Sequence, residues 1–388
     1  MQKNWQKNQT PIFLFSIFLN AIATGIFVTS LNNFLADVYN LSANQRGVIE
    51  TIRETPGMLL FLILAPLSAI KEGGILIFSL LLSAVGMAGI NLSSGVIQAT
   101  AWLFIWSTGI HLVMTLRESF CLALSEPHTR GRLFGLMTSL RSLGSIIGAA
   151  CIWVGMGHLG FGYKGLYWAA GALAALSASS VAFIKEGAHL NKPRKAFVIK
   201  RKYSLFYTLA VLFGVRKQIF LVFGPWVLIR IFNQDASAMA RLMVISSAVG
   251  FFIKPYLGRL IDRYGERTVL MGDSMALILI CACYGLAETH FPKALVLPSL
   301  FASFILDDCL FSLRLAHVTY LSKIADSTDE LTTSISTSYS IEHLVSMAAP
   351  VLAGMIWVRF GYEWVFFVSA FVAILMFAAS ANLPRKKS

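Results

Sequence analysis

Lys185-Glu-Gly-Ala-His-Leu-Asn-Lys-Pro-Arg-Lys-Ala-Phe-Val-Ile-Lys-Arg-Lys202 is the one long polar segment in a chain that otherwise reads as a succession of apolar runs. It stands near the middle of 388 residues, of which 56% are hydrophobic and only 13% charged, whereas a soluble domain has about 25% charged residues. Working outward, Leu166 to Phe183, Ile75 to Leu92 and Pro11 to Leu31 precede it, and Val269 to Ala287 and Val365 to Leu383 follow it, all almost free of charge. Each run holds about 18 residues or more, close to the roughly 20 that a helix needs to cross a hydrocarbon core about 30 Å thick. Lipid offers the backbone no hydrogen-bond partner, so uninterrupted apolar runs read as helices, whereas barrel strands would alternate at period two. The fold class expected is therefore all-α integral membrane.

Twelve transmembrane helices are predicted, at 11–32, 47–70, 75–93, 98–124, 133–156, 165–184, 204–231, 237–258, 268–287, 295–322, 331–358 and 364–383. Six fall on either side of the polar segment. The organisation expected is an N-terminal six-helix bundle at 1–184, a basic cytoplasmic linker at 185–203 and a C-terminal six-helix bundle at 204–388. Lys3 and Lys7 precede the first run as they would in a signal peptide, but that run is long and is read as a retained first helix.

Loop charge sets the orientation. Lys3, Lys7, Lys71, Arg130, Arg132, the seven basic residues between Lys185 and Lys202, Arg259, Arg263, Arg267, Lys323, Arg385, Lys386 and Lys387 fall on one side, against Arg46, Lys164, Lys293 and Arg359 on the other. The basic side is cytoplasmic, which puts both termini in the cytoplasm. The same loops account for the formal charge of +13, so no nucleic-acid partner is expected. Cys121, Cys151, Cys281, Cys283 and Cys309 all fall inside spans and read as buried thiols, with no metal site and no cofactor.

The two halves repeat. An offset of 197 residues carries Leu116-Arg117 and Leu124-Ser125 onto Leu313-Arg314 and Leu321-Ser322, and an offset of 199 carries Phe161-Gly162-Tyr163 onto Phe360-Gly361-Tyr362. Matches at nearly one offset, at equivalent points of the topology, indicate two pseudo-symmetric six-helix bundles.

The turn after the eighth span reads Gly258-Arg-Leu-Ile-Asp262-Arg263-Tyr-Gly265-Glu266-Arg267. It resembles the cytoplasmic signature loop of the major facilitator superfamily: a glycine, Asp-Arg, a second glycine and basic residues. Local physics agrees, since Gly265 can take a positive φ in a tight turn and Arg263 and Arg267 hold the loop on the cytoplasmic side. Glu266 stands where that pattern has a basic residue, and the equivalent first-half loop, Pro66 to Gly74, lacks the aspartate. Glu126-Pro127-His128-Thr129-Arg130-Gly131 resembles the family's short Arg-Gly connection. Arg46 to Gly57 resembles a pattern from a little-characterised bacterial branch. Gly144 and Gly148 have no adjacent proline, unlike the fifth helix of many drug exporters. The resemblance implies the major facilitator fold, alternating access and a gating role for Gly258, Asp262, Arg263, Gly265 and Arg267.

An ionisable group at mid-bilayer costs roughly 3 kcal/mol or more, so such groups face a cavity or a partner. Spans 3, 6 and 12 carry none, and span 9 carries only Asp273, near its cytoplasmic end. In the family the third helix of each triplet lies outside the central path, which the same pattern matches. Nearest the midplane are His111, Arg141, Arg216 with Lys217, Asp307 with Asp308, and Glu342 with His343. Arg141, Arg216, Lys217, His111 and Tyr339 are the expected substrate-binding residues, because a guanidinium presents a fork to a carboxylate or phosphate. Asp307, Asp308, Glu342, His343, Glu50 and Glu54 are the expected proton-coupling residues. Arg53, Arg117 and Arg314 are placed with the gate. Glu50 and Arg53 are spaced to pair on one helix, and Lys254 is placed to snorkel toward an interface. Adjacent residues such as Asp307 and Asp308 point about 100° apart, so one of each pair is expected to face the path.

The expected function is secondary active transport of a small polar, anionic or zwitterionic organic solute by alternating access, with proton coupling, in a bacterial inner (plasma) membrane. The expected partners are the solute, the bilayer and protons, with the chain a monomer. No phosphate-binding loop is present, which speaks against ATP-driven pumping. An integral membrane transferase is disfavoured because His128 has no partnered acid motif and His158 stands alone, so no enzyme is expected. A transporter-like sensor or assembly factor is the remaining alternative.

Overall fold

The computed structural model describes residues 2–67, 70–125, 130–184 and 199–385. The linker stretch 185–198, the segment 126–129 of the short Arg-Gly connection and residues 386–388 lie outside the described residues. Every regular element among the described residues is helical: α1 (Gln2–Tyr39), α2 (Ala43–Met58), α3 (Leu60–Leu67), α4 (Glu72–Gly89), α5 (Val96–Leu124), α6 (Arg130–Gly157), α7 (Tyr163–Val181), α8 (Ser204–Gln218), α9 (Gly224–Arg230), α10 (Ala236–His290), α11 (Lys293–Leu310), α12 (Leu315–Ile324), α13 (Thr328–Phe360) and α14 (Tyr362–Ala381). Nine helical segments among them are long and apolar enough to cross a bilayer.

One of the nine, α10, runs 55 residues. At 1.5 Å per residue a straight helix of that length would reach about 80 Å, far beyond a bilayer. It breaks at Gly265, where φ is 80° and ψ 164°, so the eighth and ninth spans meet at the positive-φ glycine that the sequence points to. The interrupted α2–α3 and the 19-residue α7 occupy the positions of the second and sixth spans.

The chain divides into two compact units. The first comprises Met1–Asn40, Ile52–Lys192 and Asp235–Val244, and the second Leu41–Thr51, Pro193–Gln234 and Ile245–Ser388.

In the first unit α1 packs on α6 and α7, and α4 on α5 and α7. Lipid tails are as apolar as leucine, so helix association there depends on close approach of small residues and on hydrogen bonds between helices. Both are present. A Cβ at Gly148 would stand 2.5 Å from the Ile22 carbonyl oxygen, and one at Gly25 2.7 Å from that of Ser145, so α1 and α6 meet where neither can carry a side chain. Ser177 on α7 donates to the Ser16 carbonyl on α1 at 2.8 Å. Phe13, Ile17, Ile75, Leu80, Leu112, Leu116 and Val181 close the core between these contacts.

In the second unit α8 packs on α13 and α14. Past Gln218 the helix widens into a π turn, Ile219–Phe223, before resuming as α9. Pro225 explains the widening: it has no N–H for the Leu221 carbonyl, and its ring would press on that oxygen in a regular α-turn. The stretch Leu41–Thr51 lies against α13, with the Thr51 hydroxyl donating to the Met347 carbonyl at 2.5 Å.

Candidate functional site

The second unit holds the most buried charge. Arg216, near the end of α8, is 2% exposed. Its Nη1 donates to Asp273 Oδ2 on α10 at 2.6 Å and its Nη2 to Asp307 Oδ1 on α11 at 3.0 Å. One guanidinium thus faces two carboxylates, and Asp273 Oδ1 and Arg216 Nε remain without a hydrogen-bond partner. Two full negative charges beside a single positive one are unfavourable in so dry a place. The arrangement suits a carboxylate pair that holds one proton between its members. Sequence placed Arg216 with the binding residues and Asp307 with the proton-coupling residues, and the structure brings the two together. Asp273 is absent from both sets, although an acid inside an otherwise uncharged run was the available signal.

Asp308 points elsewhere, as the 100° step requires. It accepts from Ser246 Oγ at 2.9 Å and from Lys254 Nζ at 3.0 Å, and the Lys254 and Asp308 side chains are 39% and 43% exposed. Lys254 therefore lies on a carboxylate.

A third group surrounds Arg314, which follows α11 on a tight 3₁₀ turn, Phe311–Arg314. Its Nη2 reaches both oxygens of Glu342, at 2.9 and 2.8 Å. Its guanidinium carbon lies 4.7 Å from the Tyr339 ring centroid, a cation–π distance. The Phe213 ring lies near both Arg314 and Arg216, 5.7 Å from the first guanidinium carbon and 5.9 Å from the second. The charges of Lys217 and His343 act on Glu342 as well. The expected gate residue Arg314 thus sits with the expected binding residue Tyr339 and the expected proton-coupling pair Glu342 and His343. Glu50 accepts from Arg46 at 2.9 Å, one helical turn earlier.

In the first unit Arg53 lies against Glu54, with its guanidinium carbon 5.9 Å from the Trp106 ring. His111 donates from Nδ1 to the Ser107 carbonyl at 2.8 Å, and the Ser107 hydroxyl donates to the Arg53 carbonyl. Arg53, Glu54, Trp106 and His111 therefore form one polar group on α2 and α5. On α5 and α6 the charges of Arg117, Glu118 and Arg141 act on one another.

At the loop of α10, Lys323 Nζ meets Glu266 at 2.7 Å, Arg267 Nη1 donates to the Leu383 carbonyl at 3.4 Å, and Arg263 lies over the Tyr264 ring at 5.2 Å. Glu266, which departs from the family pattern, has thereby taken a lysine partner. Gly258, Asp262 and Gly265 share this end of the helix pair.

The Major Facilitator Superfamily model matches residues 13–303 and again 205–388. "Putative uncharacterized transporter YgaY" of Escherichia coli (strain K12) is 30% identical to this chain over 191 residues, 46% of the chain and 47% of that protein. The same figures hold for "Uncharacterized transporter YgaY" of Escherichia coli O157:H7. The chain spans about half the length of these curated relatives. Among solved structures, that of the nucleoside transporter NupG superimposes with a TM-score of 0.77 at 13% identity, covering 97% of this chain and 99% of the other. That of the D-xylose-proton symporter gives 0.74 at 13%, covering 97% and 98%. Identities this low show the fold alone.

Proposed function

The chain belongs to the Major Facilitator Superfamily, and from that premise we propose that it is a secondary active transporter moving a small anionic or zwitterionic organic solute by alternating access, with proton coupling. The observation that carries the reading is the cluster of Arg216, Asp273 and Asp307, a guanidinium bound by two carboxylates inside an apolar helix bundle. Burying such a group is costly, and a membrane span that keeps one is using it. A carboxylate pair with one counter-ion exchanges a proton as its surroundings alternate, while the solute contacts are proposed within each unit by itself: Arg314, Tyr339 and Lys217 in the second, and His111 and Arg141 in the first. One structural neighbour is a D-xylose-proton symporter, which accords with proton coupling on this fold. By this reading bundles 1–184 and 204–388, joined by 185–203, work as the two moving halves of a monomer in the inner (plasma) membrane.

The test is reconstitution. A metabolite screen by ligand-induced thermal stabilisation of the purified protein names a solute, and its uptake is then followed in proteoliposomes with and without an imposed pH gradient. Accumulation driven by the gradient is expected. A ligand that binds with no uptake or counterflow marks a sensor and overturns the reading.

A further inference from the structure

Arg117 on α5 is 6% exposed, and among the described residues its guanidinium makes no hydrogen bond or ion pair; its Nε is sealed from solvent with no acceptor. The charges that act on it are those of Arg141 on α6, which repels it, and Glu118, which attracts it. Glu118 acts on Arg141 in the same way. Two guanidiniums therefore share the field of one carboxylate, and no salt bridge joins any of the three among the described residues.

The faces around them are polar at helical spacing. His111, Thr115 and Glu118 recur at i, i+4 and i+7 along α5, and Thr138, Arg141, Ser142 and Ser145 at i, i+3, i+4 and i+7 along α6. Thr115, Glu118, Thr138, Ser142 and Ser145 are exposed. Polar side chains exposed along a membrane span do not face hydrocarbon cheaply, and these two stripes offer the polar wall that a space open to water needs. A buried, unmatched positive charge beside such a space is costly while it is empty. A bound oxyanion removes that cost.

We propose that Arg117 and Arg141 form a two-armed subsite of this first unit for the carboxylate or phosphate group of a soluble solute, with Glu118 limiting the surplus charge when the subsite is empty. The inference deepens the transporter reading, and it gives Arg117 a ligand-holding role in place of the gating role expected from sequence. A guanidinium on each of two helices offers forked N–H donors of the kind that bind a carboxylate or phosphate.

The experiment is thermal unfolding of the full chain in neutral detergent with sodium phosphate, sulfate or acetate, against sodium chloride at equal ionic strength. At least one oxyanion raises the wild-type Tm beyond the chloride control. Arg117→Gln and Arg141→Gln each shift the midpoint concentration of that rise upward by about tenfold or more, the loss of at least one charge-assisted bond. Arg117→Lys, which keeps the charge and loses the fork, retains part of it. Without oxyanion, Arg117→Gln unfolds at or above the wild-type Tm, because it removes an unpaired buried charge, whereas a merely structural arginine would lower it. Should Arg117→Gln fail to fold, Arg141→Gln still decides. The subsite is overturned by a wild type indifferent to all three oxyanions, by an unchanged response in both variants, or by stabilisation that comes only from phosphatidylglycerol. Oxyanion binding without solute movement would leave the subsite standing and remove the transporter reading. Solute transport unaffected in both variants would do the reverse.

Discussion

The Arg117 group of the first unit and the Arg216 group of the second invert one another. The first sets two guanidiniums around one carboxylate, with no direct bond among them. The second sets two carboxylates on one guanidinium, at 2.6 and 3.0 Å. Both break charge balance inside an apolar helix bundle, and they do so with opposite sign. A surplus positive charge calls for a ligand that arrives and leaves, whereas a surplus carboxylate whose other charges are already bonded calls for a proton. On the proposed reading, the first cluster holds the solute and the second carries the proton.

The strongest way to break this assignment is to remove the hub of the bonded cluster. Arg216→Ala leaves Asp273 and Asp307 facing each other without a counter-ion, and losing one partner of a buried pair costs about 3–5 kcal/mol. A large fall in Tm in detergent is expected, with uptake abolished. Combining Arg216→Met with Asp273→Asn and Asp307→Asn should recover much of the Tm, because no lone charge remains, and none of the uptake. If Arg216→Ala unfolds with the wild type, the cluster is not holding the second unit together.

Asp307→Asn sharpens the same contrast. It leaves one guanidinium with one carboxylate, so the protein should fold and exchange solute at equal pH, while accumulation driven by a pH gradient falls to the level seen without one. Asp273→Asn is expected to do likewise, since either carboxylate can be the surplus one. Accumulation that still follows the gradient in both variants would show that the proton is carried elsewhere, with Glu342 the next place to look.

A control of packing comes next in size. Gly148→Leu forces α1 and α6 apart, where even a Cβ would stand 2.5 Å from a backbone oxygen, and overpacking of this kind costs about 1–3 kcal/mol. The Tm should fall with neither the pH response nor the oxyanion response altered in kind. Loss of either response alone would mean that this contact belongs to one of the clusters.

Much of the fold was legible in the sequence because hydrophobicity along the chain is a one-dimensional quantity. The apolar runs located the helices, and Gly265 marked its turn, which the structure confirms at a φ of 80°. Direction around a helix is the information that single residues lack. Asp273, judged by its depth in the ninth span, was set apart from the others, yet it completes the Arg216 cluster. Lys254 is placed toward an interface by its long stem, and its partner, Asp308 at 3.0 Å, is visible only in the structure. Gly144 and Gly148 were read only for the missing proline, and their contacts are with α1: a Cβ at Gly144 would meet Ala21 and one at Gly148 the Ile22 carbonyl. The π turn before α9 had a visible cause in Pro225, but its consequence, a shift of helical register just beyond Arg216, follows only from the backbone.

Asp308→Asn should produce the smallest effect. Asp307 and Asp308 are consecutive acids in the same membrane span, and by sequence they were equal candidates for carrying a proton. Their surroundings separate them, since Asp307 is 13% exposed against Arg216, whereas Asp308 is 43% exposed against a Lys254 that is 39% exposed itself. A pair that accessible to solvent contributes at most about 1 kcal/mol, and an asparagine oxygen can still accept from Ser246. Asp308→Asn is therefore expected to leave Tm, uptake and the response to a pH gradient close to wild type. A loss of gradient-driven uptake equal to that of Asp307→Asn would mean that exposure in this conformation does not distinguish the two carboxylates, and that Lys254 works with Arg216 rather than beside it.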